Sequence, residues 1–281
     1  MLGEFFGLLT AASFALADVF ARKTMAGGTA FAGVYNSVII NLAILWPLAL
    51  LLTDPGTITT LGIIFLVVAG VFSTTLGRLT RFIGIGKLGV SGSGPLVSSA
   101  PLFAATFAIT VLGEVFTPIL GLGTVLIVLG VGILSLSEWR VSRVGVIVSL
   151  GSSLFFGLAE NFRKLGIEEV ASPPFGGAVS ASVALASYTL YSKATNTSTR
   201  LAGRPRLFSA LAGVATTSGL LSSFTALSLA DVVAVAPLFN TTPLFALLYV
   251  KLLLRRQERI TLRVLVSALV VVAGVALIVT R

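Results

Sequence analysis

Apolar runs of about twenty residues follow one another along almost the whole of this 281-residue chain. A bilayer core about 30 Å thick takes about 20 apolar helical residues to cross. Stretches of that kind lie at 2–21, 31–52, 61–86, 90–112, 118–136, 144–162, 174–192, 207–229, 232–254 and 261–280. In hydrocarbon the backbone N–H and C=O groups find no water, so segments of this length close their own hydrogen bonds as helices. The expectation is an all-α polytopic membrane protein with ten transmembrane helices and little chain left for an extramembrane domain. Composition agrees, with 56% hydrophobic residues, 10% charged residues and a mean hydropathy of +1.05. The first stretch has neither a basic leader nor a small-residue cleavage site and reads as a retained helix. The expected location is the plasma membrane, in multi-pass form.

Cysteine and histidine are both absent. That removes disulfides, thiolate chemistry and the usual His or Cys metal sites, so neither a metal nor a cofactor is expected. The net charge is +9, yet the basic residues sit at the ends of apolar stretches, which speaks for membrane topology and against a nucleic-acid partner. Sixteen of the nineteen Lys and Arg residues fall in or beside the loops after the first, third, fifth, seventh and ninth stretches, and only Arg163, Lys164 and Arg281 lie on the other side. This bias places the odd-numbered loops in the cytoplasm and both termini outside.

The sequence repeats itself. "GRLTRFIGIGKLGVSGSGPLVSSAPLF" (77–103) lies in register on "GLLSSFTALSLADVVAVAPLFNTTPLF" (219–245), matching Gly77 to Gly219, Phe82 to Phe224, Pro95 to Pro237 and Pro101 to Pro243. At the same offset "FALADVFARK" (14–23) falls on "FGLAENFRKL" (156–165), matching Asp18 to Glu160. After an insertion at Arg255 and Arg256, Glu114 matches Glu258. The domains are thus 1–138 and 139–281, two copies of a five-helix unit. Five crossings are an odd number, so the second copy enters from the opposite face and the repeats are inverted. Inverted repeats are a recurring transporter plan, with the site near the midplane between the halves.

Pro101 and Pro243 fall near mid-bilayer, where a missing N–H leaves the carbonyls of Val97 and Phe239 without helical partners and kinks the chain. Pro95 and Pro237 repeat the interruption one turn away. Irregular backbone at membrane depth is tolerated where it lines a cavity, and Ser98, Ser99, Asn240 and Thr241 lie between the prolines. The alternative is a packing kink whose hydroxyls bond their own backbone. Asp18 and Glu160 are acids within spans and each calls for a partner or a proton. Arg78 and Arg81 are the candidates for Asp18; Arg163 and Lys164 are those for Glu160. Either the acids bind a cationic group or carry a coupling proton, or they form fixed ion pairs. Arg78 and Arg81 face Leu220 and Ser223 in the second copy, an asymmetry suited to a carboxylate or phosphate; snorkelling to the interface is the other reading of Arg78. Glycine- and alanine-rich seams, such as "GLGTVLIVLGVG" (121–132), let helices approach closely and are not nucleotide loops, since no strand precedes them.

The five-plus-five duplication, together with "PLFAATFAITVLGE" (101–114) before "GLGTVLIVLGVGIL" (121–134), and "PLFALLYVKLLLRRQE" (243–258) before "LVVVAGVALI", resembles the drug/metabolite transporter superfamily in its ten-helix EamA-like branch. "FALADVFARK" is similar to the family's first-helix end. The resemblance implies a central cavity bounded by helices 1, 3, 4, 6, 8 and 9, with Asp18, Arg81, Ser98, Glu160, Ser223 and Asn240 as lining candidates, and transport of amino acids, other metabolites or drugs. Tyr35 and Asn36 stand where the family often has a basic residue, and its ten-helix members usually keep both termini in the cytoplasm, against the charge bias here. The expected function is a secondary transporter of a small polar or amphipathic metabolite, an amino acid or drug-like solute, exporting by alternating access. The substrate-binding candidates are Asp18, Arg81, Ser98, Glu160, Ser223, Asn240 and Thr241, with Pro95, Pro101, Pro237 and Pro243 as cavity kinks. The partners are a small-molecule substrate, the bilayer and a candidate coupling proton, in a monomer or homodimer. The alternatives are an uncoupled facilitator or exchanger, and a membrane-embedded lipid-handling protein. No enzyme is expected, because no nucleophile with a base and no metal cluster is encoded.

Overall fold

The computed structural model describes residues 1–97, 99–135, 142–242, 244–246, 248–249 and 262–279, and among these there are helices and no strand. In chain order α1 is Leu2–Met25, α2 Ala30–Leu52 and α3 Thr60–Gly70, which passes through a π-helical segment, Val71–Gly77, into α4, Arg78–Val97. α5 is Ala100–Phe107, followed by a π-helical turn at Ala108–Leu112; α6 is Pro118–Ser135, α7 Arg143–Val170, α8 Pro173–Thr195, α9 Gly203–Leu229, α10 Val232–Phe239 and α11 Leu262–Val279. Among the described residues, five uninterrupted segments are long and apolar enough to span a membrane: Leu2–Met25, Ala30–Leu52, Thr60–Leu88, Arg143–Val170 and Gly203–Leu229. Large apolar side chains stand outward along them, among them Leu50, Leu51 and Ile147.

Local chemistry sets the ends. Thr29, Thr59, Ser142 and Ser172 accept hydrogen bonds from backbone N–H groups three residues on, the usual N-cap arrangement, and Pro173 opens α8, where a missing N–H costs nothing. The third and fourth apolar stretches join without a gap in helical bonding, but not as one straight rod. The Cβ position of Gly84 lies 2.8 Å from Ser93 Oγ, whereas nine residues of straight helix rise about 13.5 Å. The chain therefore reverses between them. At the other end of this pair Gly113 takes a left-handed φ of 70° that terminates the helix and turns Glu114 toward α10. Its carboxylate accepts from Val232 N at 3.0 Å and Val233 N at 2.9 Å. The N-terminus of α10, whose own Asp231 makes no side-chain cap, is thus capped by the first repeat.

Contacts along the helices show the repeats to be inverted. α1 and α9 run antiparallel, since Gly3 meets Ala230, Phe14 meets Gly219 and Phe20 stacks on Phe208. α2 runs parallel to α9, with Ser209 bonding Gly33 O and Asn41 bonding Gly213 O and Thr217. It runs antiparallel to α8, through Phe31 with Tyr188, Trp46 with Ser182 and Thr53 with Ser172. α3 lies parallel to α8, as Gly70 meets Ser180 and Tyr188 bonds Thr74 O. α7 opposes it, with Gly62 near Val170 and Phe156 over Gly77. Taking α1 as pointing up, α3 and α8 point up while α2, α7 and α9 point down. α1, α2 and α3 therefore run opposite to α7, α8 and α9, their counterparts in the second copy.

The same directions sort the charges. Arg22, Lys23, Lys87, Arg143, Lys193, Arg200, Arg204 and Arg206 gather at one end of the bundle, and Glu4, Asp54, Glu114, Glu168, Glu169 and Asp231 at the other.

Small residues set the spacing. In the α6–α11 seam, a Cβ on Gly274 would stand 2.7 Å from Gly123 O, and one on Gly123 would stand 2.9 Å from Gly274 O. Backbone cannot yield as a flexible side chain does, and lipid offers no hydrophobic drive to offset lost packing. Gly274→Val is expected to cost about 1–3 kcal/mol through overpacking, read as a lower unfolding temperature of the purified protein in detergent. Val272→Ala on the exposed face of α11 is the control and should leave that temperature nearly unchanged.

Candidate functional site

A cavity of about 90 Å³ lies where α1, the π segment, α4, α7, α9 and the end of α10 converge. Its lining is built largely from positions that the repeat makes equivalent: Phe14 with Phe156, Asp18 with Glu160, Thr74 with Thr216, Arg78 with Leu220, and Val97 with Phe239. A cavity walled by such pairs sits on the pseudo-two-fold axis. The glycines matched in the sequence make room for its aromatic walls. The Phe14 ring lies 2.5 Å from the Cβ position of Gly219, and the Phe156 ring 2.9 Å from that of Gly77. Any larger residue at either place would push a ring into the cavity.

Asp18, on α1, is 4% exposed and is gripped by Arg81 of α4. Arg81 Nε donates to Oδ1 at 3.1 Å and Nη2 donates to Oδ2, a bidentate pair of the kind arginine makes best with carboxylates. Arg78, one turn earlier, goes elsewhere. It is 7% exposed and does not snorkel to an interface. Nη1 donates to Asn41 Oδ1 at 2.8 Å, and Nη2 to Ser37 Oγ and Thr216 Oγ1, both at 2.9 Å. The acceptors are themselves oriented. Ser37 and Thr216 donate their hydroxyl protons to Val34 O and Ala212 O, leaving lone pairs for the guanidinium. Two helices, α2 and α9, thus hold the α4 cation, with no acid bonded to it among the described residues.

In the second copy Glu160 is 5% exposed and Arg163 4%. Both line the cavity. Glu160 Oε2 and Arg163 Nε are buried without hydrogen-bond partners, and no ion pair joins them among the described residues. The Arg163 guanidinium instead lies 5.5 Å above the Phe224 ring, and Arg78 lies 5.9 Å above Phe82, the matching ring of the first copy. Such contacts stabilise a cation through the ring's quadrupole. Lys164, the other partner considered for Glu160, turns away to Glu168 at 3.2 Å and to the carbonyls of Leu227 and Ala230 near the end of α9.

The remaining candidates divide. Asn240 lines the cavity and donates from Nδ2 to Ala236 O at 2.8 Å. Ser223 and Thr241 do not line it: each is buried with its hydroxyl bonded to its own helix, at Leu220 O and Leu238 O. These are the self-bonded hydroxyls of the packing alternative, because a backbone acceptor one turn back is nearer than any solute. Ser99, half-buried, bonds Leu96 O and also the Ser153 hydroxyl of α7, both at 2.7 Å. Thr242 lines the cavity and donates to Phe239 O at 2.7 Å, which occupies the carbonyl that a downstream proline would leave open. Pro101 lies in the first turn of α5 and Pro237 inside α10. Pro95 lies within α4, while Ser98 and Pro243 are outside the described residues. On either side of these breaks the backbone repeats, with Leu102 N bonding Ser99 O and Leu244 N bonding Thr241 O, both at 3.0 Å.

Sequence reasoning passed over Ser73, Thr74, Thr216 and Arg163 as lining residues. A signal for the threonines is present: "TTLG" (74–77) and "TTSG" (216–219) occupy equivalent places in the two copies. Nothing in the spacing marks the π-helical segment, a device that recurs at functional sites and lies on the first copy alone, since α9 passes its matching residues as regular helix.

The EamA-like transporter family matches twice, over residues 1–136 and 143–280. The chain belongs to the EamA-like transporter family. It is an integral, multi-pass membrane protein of the drug/metabolite transporter superfamily, and family members are transporters. No curated protein matches it. Among solved structures, one crystal structure of a protein at 14% identity superposes with a TM-score of 0.78, covering 98% of this chain and 94% of the other. At that identity the likeness shows the fold alone.

Breaking the Asp18–Arg81 pair leaves a charge buried without its partner, which costs about 3–5 kcal/mol, while removing both charges costs far less. Asp18→Asn and Arg81→Gln should each lower the unfolding temperature markedly, and the double variant should recover most of the loss. A double-mutant cycle on the purified protein measures this coupling.

Proposed function

We propose that this chain is a secondary transporter that moves a small polar or amphipathic metabolite across the plasma membrane by alternating access, in the direction of export. The observation that carries the reading is the cavity walled by repeat-related pairs. A site on the axis between two inverted halves is exposed to one side or the other as one half rocks against its partner. The halves share a backbone plan but differ in side chains where a solute would touch them. Arg78 faces Leu220, and Val97 faces Phe239, so the two ends of a bound solute meet different chemistry. Following the charge bias, the basic end of the bundle faces the cytoplasm.

Asp18 and Glu160 take different parts in this reading. Asp18 is committed to Arg81 and holds α1 to α4. Glu160 has a buried oxygen without a hydrogen-bond partner, which makes it the carboxylate on which a coupling proton rides.

Purified protein in liposomes, loaded with a metabolite mixture and screened by counterflow, tests transport. A pH gradient across the same vesicles tests coupling. The expected result is solute accumulation driven by the gradient, reduced tenfold or more in Glu160→Gln. Accumulation that ignores the gradient removes the coupling role of Glu160 and leaves a facilitator or exchanger. Absence of solute counterflow under every gradient removes the transporter reading.

A further inference from the structure

The charges around the cavity do not cancel. Two carboxylates, Asp18 and Glu160, and three guanidiniums, those of Arg78, Arg81 and Arg163, line it. A guanidinium does not give up its proton in a protein, whereas a carboxylate can take one up. The lining therefore carries at least one positive charge in every protonation state, and protonating either acid only adds to it. The surplus is not spread evenly. Arg81 is neutralised by Asp18, while among the described residues Arg78 donates its hydrogen bonds to the neutral oxygens of Ser37, Asn41 and Thr216. Arg163, 4% exposed, rests on the Phe224 ring with its Nε unpartnered. In a buried, aromatic-walled space of low dielectric the surplus positive charge draws a counter-ion strongly.

We infer that the solute is a small organic monoanion, held through its carboxylate by the guanidiniums of Arg78 and Arg163. This deepens the transporter reading above and rests on it. Arg78 is the oriented partner, locked by three acceptors. Arg163 is the available one, with donors not spent on the described residues. The cavity, about 90 Å³, suits a small solute. An anion moving together with a proton on Glu160 would cross without net charge.

The test is thermal unfolding of the full-length protein in detergent at matched ionic strength, titrated with acetate, lactate and butyrate, with their amides, and with methylammonium and butylammonium. At least one carboxylate should raise the unfolding temperature saturably, with its amide and the ammonium ions tenfold weaker or inactive. Arg163→Gln removes a ring contact with Phe224 of α9 but no hydrogen bond or ion pair among the described residues, and it should unfold cooperatively and lose the carboxylate response by tenfold or more. Arg78→Gln is the second variant, and if it is too unstable to purify, the Arg163→Gln comparison decides alone. Equal stabilisation by the amides, preference for an ammonium ion, or no saturable response to any carboxylate overturns the proposal. Counterflow in liposomes with the same solutes separates it from the transporter reading. Movement of a neutral or cationic solute keeps the transporter and removes the anion, whereas saturable carboxylate binding without movement of any solute does the reverse.

Discussion

Charge at membrane depth has to be met by protein, because lipid cannot solvate it. In this molecule two arginines one turn apart on α4 turn that demand into architecture. Arg81 reaches Asp18 on α1, and Arg78 reaches Ser37 and Asn41 on α2 and Thr216 on α9. Satisfying two side chains thus fastens four helices, three from the first copy and one from the second. Asn41 passes the connection on to Gly213 O and Thr217, so the network ends on backbone carbonyls that belong to regular helix. A buried ion pair is weak evidence for net stability, but one whose loss leaves unpaired charge specifies how the helices meet.

The second copy lacks this arrangement. Where the first has arginines, it has Leu220 and Ser223, and its own cation, Arg163, comes from a position that is Ala21 in the first copy. Backbone symmetry survives the difference. The glycines under Phe14 and Phe156, the paired threonines and the turns at Ser99 and Thr241 obey the two-fold. Helix spacing and turn geometry depend on small residues and backbone bonding, which duplication preserves. Charge placement depends on single side chains, which can diverge without disturbing the frame.

Much of the frame was legible. Apolar stretches of spanning length marked the helices, and the constant offset between the copies, with an odd number of stretches in each, implied inversion, which the antiparallel and parallel contacts of α2, α8 and α9 bear out. Asp18 and Arg81 were readable as partners because they fall at one depth in neighbouring spans. Arg78 was harder. Its spacing from Asp18 and from the interface admits two readings, and only the hydroxyls of α2 and α9, brought near by packing, choose a third. Glu114 stood out in the sequence only as the match of Glu258, and its use as a cap for α10 depends on the left-handed turn at Gly113 and on the meeting of the two copies. Ser223 and Thr241 shared helices with the cavity but not its face, since each hydroxyl found a carbonyl on its own helix first.

Apolar length and internal repetition are properties of order along the chain, and they suffice for the membrane-spanning class, the doubling of a five-helix unit and the opposed direction of its copies. Which charges pair is a matter of packing in three dimensions. Asp18 is answered, Arg78 is wrapped by neutral oxygens, and Glu160 and Arg163 line the same cavity without an ion pair. Those outcomes depend on distances of a few ångströms between residues far apart in the chain, and Coulomb and hydrogen-bond energies change across that range where sequence spacing does not.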